Sequence, residues 1–301
     1  MLDADQRRLI ADRLGSEPEG VRPLSGGCVA DAAVATIGGE RVVIKSERGA
    51  GASLDVEGRM LRYLAERSEL PVPRVLLAEP TVLVMTFIES GRPGREAVEA
   101  HAGRLLASLH AVRPDGRDDP EAGGGRFGLG FDTLIGGLHQ PNPWSSSWPA
   151  FYGEHRLVSM ARAAHRAGNL SKAGVGLAER AAGRLEGILG GRSVEPGLIH
   201  GDVWGGNVIE GVGGVAGFID PAIYYADPEV ELAFITMFST FGDRFFAAYA
   251  EAAGLPGGRV DEGFRDHRRE LYTAYPLLVH ARLFGGGYAA SAERVLRRFA
   301  G

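Results

Sequence analysis

The sequence predicts an α+β chain in two lobes: a small N-lobe over residues 1–90, built on a five-stranded antiparallel sheet with one main helix, and a larger, mostly helical C-lobe over residues 91–301. Three observations predict it. Short β-branched and apolar runs alternate with turn residues up to residue 90. Helical periodicity dominates from residue 95 onward. A chain of 301 residues, 45% of them hydrophobic, also reaches the size at which one core divides, since single cores rarely grow beyond ~250 to 300 residues.

Taken in order, residues 3–14 read as an amphipathic helix, followed by strands near 20–24, 29–36 and 41–46. A helix follows within 53–68, where Leu54, Leu61, Leu64 and Ala65 recur at helical spacing. Strands at 75–77 and 82–87 complete the sheet, and Ser90-Gly91-Arg92-Pro93-Gly94 is a breaker cluster where the chain crosses between lobes. Helical patterns then run at about 95–112, 148–168, 172–190, 227–254, 262–284 and 290–299. Asp227-Pro228-Glu229 suits a helix start, with Asp as cap, Pro in the first turn and Glu favoured by the helix dipole. Gly123-Gly124-Gly125 reads as a loop, and no internal repeat is present.

A formal net charge of -5 without basic runs argues against nucleic acid as the main partner. No apolar run reaches the ~18 residues that would span a membrane. The acidic start Met1-Leu2-Asp3-Ala4-Asp5 lacks the pattern of a signal peptide, so a cytoplasmic protein is expected. The single cysteine, Cys28, excludes an intramolecular disulfide.

The chemistry concentrates in His200-Gly201-Asp202-Val203-Trp204-Gly205-Gly206-Asn207, followed by Phe218-Ile219-Asp220-Pro221. Asp and Asn five residues apart, with a second Asp eighteen residues after the first, is how protein-kinase-like enzymes hold an acceptor hydroxyl beside Mg-ATP. Asp202 is then the base that orients the hydroxyl and takes its proton. Asn207 and Asp220 offer the hard oxygens that Mg²⁺ prefers. Val208-Ile209 and the strand 215–219, separated by the glycine-rich turn 210–214, form a hairpin that brings Asn207 and Asp220 together. Each residue alone would more often cap a loop or start a turn; the octet with the second Asp favours the catalytic reading.

Upstream, the turn containing Gly26, Gly27 and Cys28 joins two strands and would lay backbone amides over phosphates, with a plain hairpin turn as the alternative. Arg41-Val42-Val43-Ile44-Lys45 ends in a lysine placed to reach the α and β phosphates. Glu57, nearly one helical turn before Leu61, is its expected ion-pair partner, while Glu66 and Glu69 face water. Met85 and Phe87, at the end of the last strand, would present backbone groups to an adenine.

The octet with Trp204, the run Ile219-Asp220-Pro221-Ala222-Ile223-Tyr224-Tyr225, and Glu229 with Leu232-Ala233-Phe234 resemble the fructosamine-3-kinase (ketosamine-3-kinase) family. That family is a branch of the protein-kinase-like fold close to the aminoglycoside phosphotransferases. Pro141-Asn142-Pro143-Trp144 leading to Trp148 and Phe151, and His280 with Phe284-Gly285 and Gly287-Tyr288, extend the resemblance over nearly the whole chain.

The resemblance implies ATP and Mg²⁺ as cofactors, with Asp202 as base, Asn207 and Asp220 as metal ligands, and Lys45 with Glu57 anchoring ATP. It implies phosphorylation of the 3-hydroxyl of a ketosamine, free or protein-bound, a repair reaction because phosphate at C3 leaves readily and frees the amine. Trp204 would stack on the sugar; Trp144 or Trp148 could line the same cleft, with core filling favoured for Trp148. His280 would face the acceptor pocket or serve as a satisfied core group, and His200 would bond backbone in the catalytic loop. Arg282 stands where many relatives carry a polar amide. Cys28 is expected to be able to link two subunits on oxidation, so a monomer or a homodimer is open. Two other readings are a kinase of the same fold for another alcohol, aminoglycoside- or choline-like, and a silent nucleotide-binding module. Against an aminoglycoside site, residues 276–301 carry one Glu and four Arg rather than an acidic cluster.

Overall fold

A computed structural model describes residues 2–24, 31–49, 51–117 and 126–301. Helix α1 (Ala4–Leu14) starts at a capping box, in which Asp3 accepts from the Gln6 amide and Gln6 returns the bond. Strands β1 (Glu19–Pro23), β2 (Asp31–Ile37) and β3 (Glu40–Ser46) precede helix α2 (Leu54–Arg67), and β4 (Val75–Glu79) and β5 (Val82–Thr86) follow it. The five strands form one antiparallel sheet in the order β1-β2-β3-β5-β4.

Strand alternation sorts this sheet into two apolar layers. Val42, Ile44, Val82 and Val84 pack with Ile10 of α1 on one face. Leu83 and Met85 pack with Leu54 and Leu61 of α2 on the other, joined there by Val43. Lys45, two residues beyond Val43, therefore shares the α2 face and meets Glu57 there. The buried stripe of α2 is Leu54, Leu61 and Leu64; Ala65, expected in it, is exposed, as are Glu66 and Glu69.

Beyond Gly91, whose amide donates to the Glu210 carbonyl, come α3 (Arg95–His110), the hairpin β6 (Thr133–Ile135) and β7 (Leu138–Gln140), and α4 (Trp148–Phe151). A π-helical stretch, Tyr152–Val158, joins α4 to α5 (Ser159–Arg166), so the helix expected over 148–168 is continuous but carries an extra residue per turn in its middle. Helix α6 (Lys172–Leu189) and strands β8 (Gly197–Ile199), β9 (Val208–Gly211), β10 (Gly214–Phe218) and β11 (Tyr224–Ala226) follow.

The single helix expected over 227–254 is two, α7 (Glu229–Met237) and α8 (Asp243–Ala252). Ser239 adopts a left-handed φ of 49° and Gly242 is extended, which ends one helix and redirects the next. Asp227 still accepts from the Glu229 amide, as expected of a cap. Helix α9 (Arg269–Phe284) contains Pro276, whose missing N–H orphans the Tyr272 carbonyl; Tyr152 Oη donates to it at 3.3 Å. Helix α10 (Gly287–Ala300) begins three residues before the expected start at 290. Trp148 is buried in the largest apolar core, which also takes in Met60 and Leu64 of α2, and donates from Nε1 to Tyr272 Oη at 2.9 Å, so it fills core rather than lining a cleft. Among the described residues, no helix is long and apolar enough to cross a membrane.

Candidate active site

Strand β8 delivers the chain into the loop 200–207 and pairs with β11, Ile199 opposite Tyr224. Inside this corner Gly201 has φ 86°, and a side chain there would run into the Ala222 carbonyl, so glycine is required. The Ala222 amide donates to the His200 carbonyl at 2.7 Å, closing the loop against the segment after β10.

The β9–β10 hairpin sets the other two groups. Asn207 directly precedes β9 and Asp220 lies two residues beyond β10, and the Ile219 amide donates to the Asn207 carbonyl at 3.0 Å. The glycine-rich segment 210–214 is mostly strand, because β9 runs through Gly211 and β10 starts at Gly214, leaving Val212-Gly213 as the turn. Asp220 sits at φ 55°, a left-handed conformation that Asp tolerates better than most residues. Asn207 is buried, and its Nδ2 donates to both the main-chain oxygen and the carboxylate of Asp202 at 2.9 Å. Both bonds use nitrogen, which leaves Oδ1 available to a cation.

Burial pushes the Asp202 carboxyl up to about 7; the Asn207 amide opposes the shift, and the charges of Asp220 and Glu231 add to it. Lys45 Nζ donates to Glu57 Oε1 at 2.7 Å and also bonds Asp220. Burial disfavours the Lys45 ammonium, but the two carboxylates outweigh it and hold its pKa above the usual range. Glu57 is shifted upward, first by burial and then by Asp220, with Lys45 opposing.

Lys45, Glu57, Met85, Phe87, Asp202, Trp204, Asn207, Asp220 and His280 all line one cleft of about 960 Å³ between the sheet and the helices. Gly26, Gly27 and Cys28 lie outside the described residues. Trp144, offered as a cleft residue, instead stacks on Tyr225 with ring centres 6.1 Å apart. His200 is fully buried and accepts from the Asp202 amide at its Nδ1 at 3.4 Å, the backbone bonding expected of it; burial lowers its pKa.

Sequence reasoning missed Glu231. This buried carboxylate on α7 accepts from the amides of Gly201 at 2.6 Å and His200 at 3.3 Å, and from His110 Nε2 at 2.8 Å. His110 Nδ1 lies 2.8 Å from Tyr249 Oη, so the imidazole bridges Glu231 on α7 and Tyr249 on α8. Burial alone would raise the Glu231 pKa, yet the bonds from His110 and the backbone pull it below the ordinary value. The available signal was an acid in the apolar run Val230 to Ile235, where an unpaired charge could not be buried. Glu231→Ala should lower unfolding free energy by about 3 kcal/mol, because amides and an imidazole are left unpaired, and chemical denaturation checks this.

A sequence model described as fructosamine kinase matches residues 2–300. The chain belongs to the fructosamine kinase family. Like it, a Synechocystis protein named probable ketoamine kinase is 33% identical over 283 residues, covering 92% of this chain and 89% of the relative. The chloroplastic protein-ribulosamine 3-kinase of Arabidopsis thaliana is 30% identical over 283 residues, 91% of this chain and 80% of its own. The crystal structure of a candidate fructosamine-3-kinase from Thermobifida fusca superposes with a TM-score of 0.81 at 28% identity, covering 97% of both chains. An ADP-bound aminoglycoside phosphotransferase, 15% identical, reaches a TM-score of 0.67 over 99% of this chain and 98% of its own and so shares the fold. The chain thus has the bilobal protein-kinase-like fold, and the family match extends over residues 2–300. A Cys28-linked dimer draws no support from these relatives.

Proposed function

We propose that this chain transfers the γ-phosphoryl group of ATP to the 3-hydroxyl of a ketosamine. The observation that carries the reading is the convergence of Asp202, Asn207 and Asp220 with the Lys45–Glu57 pair in one cleft. Residues 1–90 act as the lobe that covers ATP, with Met85 and Phe87 at the adenine side, and residues 91–301 as the lobe that holds the acceptor. All named groups come from a single chain.

In this reading Asp202 accepts the proton of the attacking hydroxyl, Lys45 reaches the phosphates from a position set by Glu57, and Trp204 packs on the apolar side of the sugar. The site suits magnesium by its donors, since Asp220 carboxylate and Asn207 Oδ1 are hard oxygens brought together by one hairpin. A magnesium ion there would neutralise charge on the phosphates. The relatives named ketoamine kinase and ribulosamine 3-kinase support a ketosamine as acceptor.

The pH dependence follows from Asp202. The base must be ionised, and its carboxyl titrates at about 7, so kcat/KM should fall tenfold per unit as pH drops below that value and level off above it. A profile flat from pH 5 to 9 would remove Asp202 as the titrating base. The activity itself is tested by ATP consumption against free and protein-bound ketosamines, with choline and kanamycin as controls. Turnover of a ketosamine is expected; turnover of a control alone would make this a kinase for another alcohol.

A further inference from the structure

The acceptor side of the cleft is walled by rings. His280 on α9 lies with its ring centre 5.3 Å from Phe238, 5.7 Å from Phe284 and 5.0 Å from Tyr288. Phe284 and Tyr288 are 6.2 Å apart, 60% and 38% exposed, yet both line the cleft. Gly285 and Gly286, at φ 64° and 60°, turn the chain between α9 and α10 and place these two rings beside each other at the rim.

Charge on the lining is one-sided. Among the described residues that line the cleft, the one lysine is Lys45, held by Glu57 and Asp220, and there is no arginine; Glu47, Glu57, Asp202, Asp220 and Glu231 are all acidic. A ligand group reaching the rim meets aromatic faces and, among the described lining residues, no cation other than the already paired Lys45. His280 Nδ1 donates to the Pro276 carbonyl 2.7 Å away, which fixes the orientation of the ring among its aromatic neighbours.

We propose that Phe238, His280, Phe284 and Tyr288 form a subsite for the amine substituent of the ketosamine, and that it selects apolar or aromatic substituents over those bearing an α-carboxylate. This rests on the function proposed above. With the C3 hydroxyl at Asp202, the amine substituent beyond C1 and the C4–C6 end of the sugar extend to opposite sides, and the rings take the amine substituent. The secondary ammonium of a ketosamine is attracted to ring faces, and an aryl or alkyl group removes exposed ring surface from water. A carboxylate finds no free partner cation among the described residues that line the cleft.

The test compares 1-deoxyfructosyl derivatives of benzylamine, butylamine and glycine, which share one sugar, at saturating ATP. The benzylamine derivative should exceed the glycine derivative in kcat/KM on the order of tenfold. In the Phe284→Ala/Tyr288→Ala variant that ratio should fall to within about threefold, the span left when most of the ring attraction is removed. Equal values, or preference for the glycine derivative, in the native enzyme overturn the assignment even should the variant fail to fold. So does a variant that keeps the native ratio. Phosphorylation of all three without preference leaves the kinase activity standing and sinks only the subsite; no phosphorylation of any ketosamine sinks both.

Discussion

Replacing Asp202 by Asn should lower turnover by ~10²- to 10⁴-fold, or roughly 3 to 5 kcal/mol of barrier, because the amide cannot accept the proton of the acceptor hydroxyl. The substitution is close to isosteric, and an amide oxygen can still accept from Asn207 Nδ2, so the loop geometry is kept. The pH limb near 7 should vanish from whatever activity remains. Stability should move the other way. A carboxyl whose folded pKa is raised from 3.8 to about 7 favours folding fully below the lower value, and that contribution is lost as pH rises through the upper one. The neutral Asn escapes this loss. The variant should therefore melt higher than the native chain at pH 8, with the difference shrinking toward pH 4, as catalytic groups held against their preferred charge generally lower stability. Activity within tenfold of native would remove the base assignment.

Lys45→Met should be the second most damaging change. Removing a cation poised at transferring phosphates costs on the order of 10² to 10³ in turnover, and KM for ATP should rise with it. It also leaves Glu57 and Asp220 facing one another without their shared partner. Lys45 and Glu57 side chains are each 13% exposed, and breaking such a pair by removing one member costs roughly 3 to 5 kcal/mol. Glu57, already shifted upward by burial, should then be protonated more readily, so the stability deficit should be largest at high pH and recover as pH falls. Replacing Glu57 by Leu in the same variant should restore much of the stability and none of the activity. Denaturation curves at two pH values, read beside steady-state kinetics, separate the two effects.

These two sites differ in how they were legible. Lys45 and Glu57 could be paired from sequence because two periodicities meet there: strand parity puts Lys45 on the face of Val43, and helical spacing puts Glu57 beside the buried Leu61 stripe. Asn207 and Asp220 were legible because a short hairpin leaves few ways to place its ends. Glu231 escaped because its partners are backbone amides thirty and more residues away and a histidine on α3, none of which a motif encodes. The break between α7 and α8 escaped as well. The apolar pattern continues through Phe238 and Phe241, and the left-handed turn at Ser239 is settled by where the chain must go, with Thr240 donating to the Val203 carbonyl of the loop 200–207 at 3.3 Å.

The tryptophans mark the same boundary. In sequence Trp148 reads as core filling, Trp144 as a cleft residue and Trp204 as a sugar contact; Trp148 is core, Trp144 instead stacks on Tyr225, and Trp204 lines the cleft at 38% exposure. Local spacing, strand parity and hairpin length were enough by themselves to determine the sheet, the Lys45–Glu57 face and the grouping of Asp202, Asn207 and Asp220, because each depends on neighbours within a few residues or on one short connection. The anchoring of the loop 200–207 by Glu231, the aromatic rim around His280 and the raised carboxyl of Asp202 were decided only by the tertiary structure. Burial and dielectric at a point are set by every element packed around it, and no stretch of sequence carries that sum.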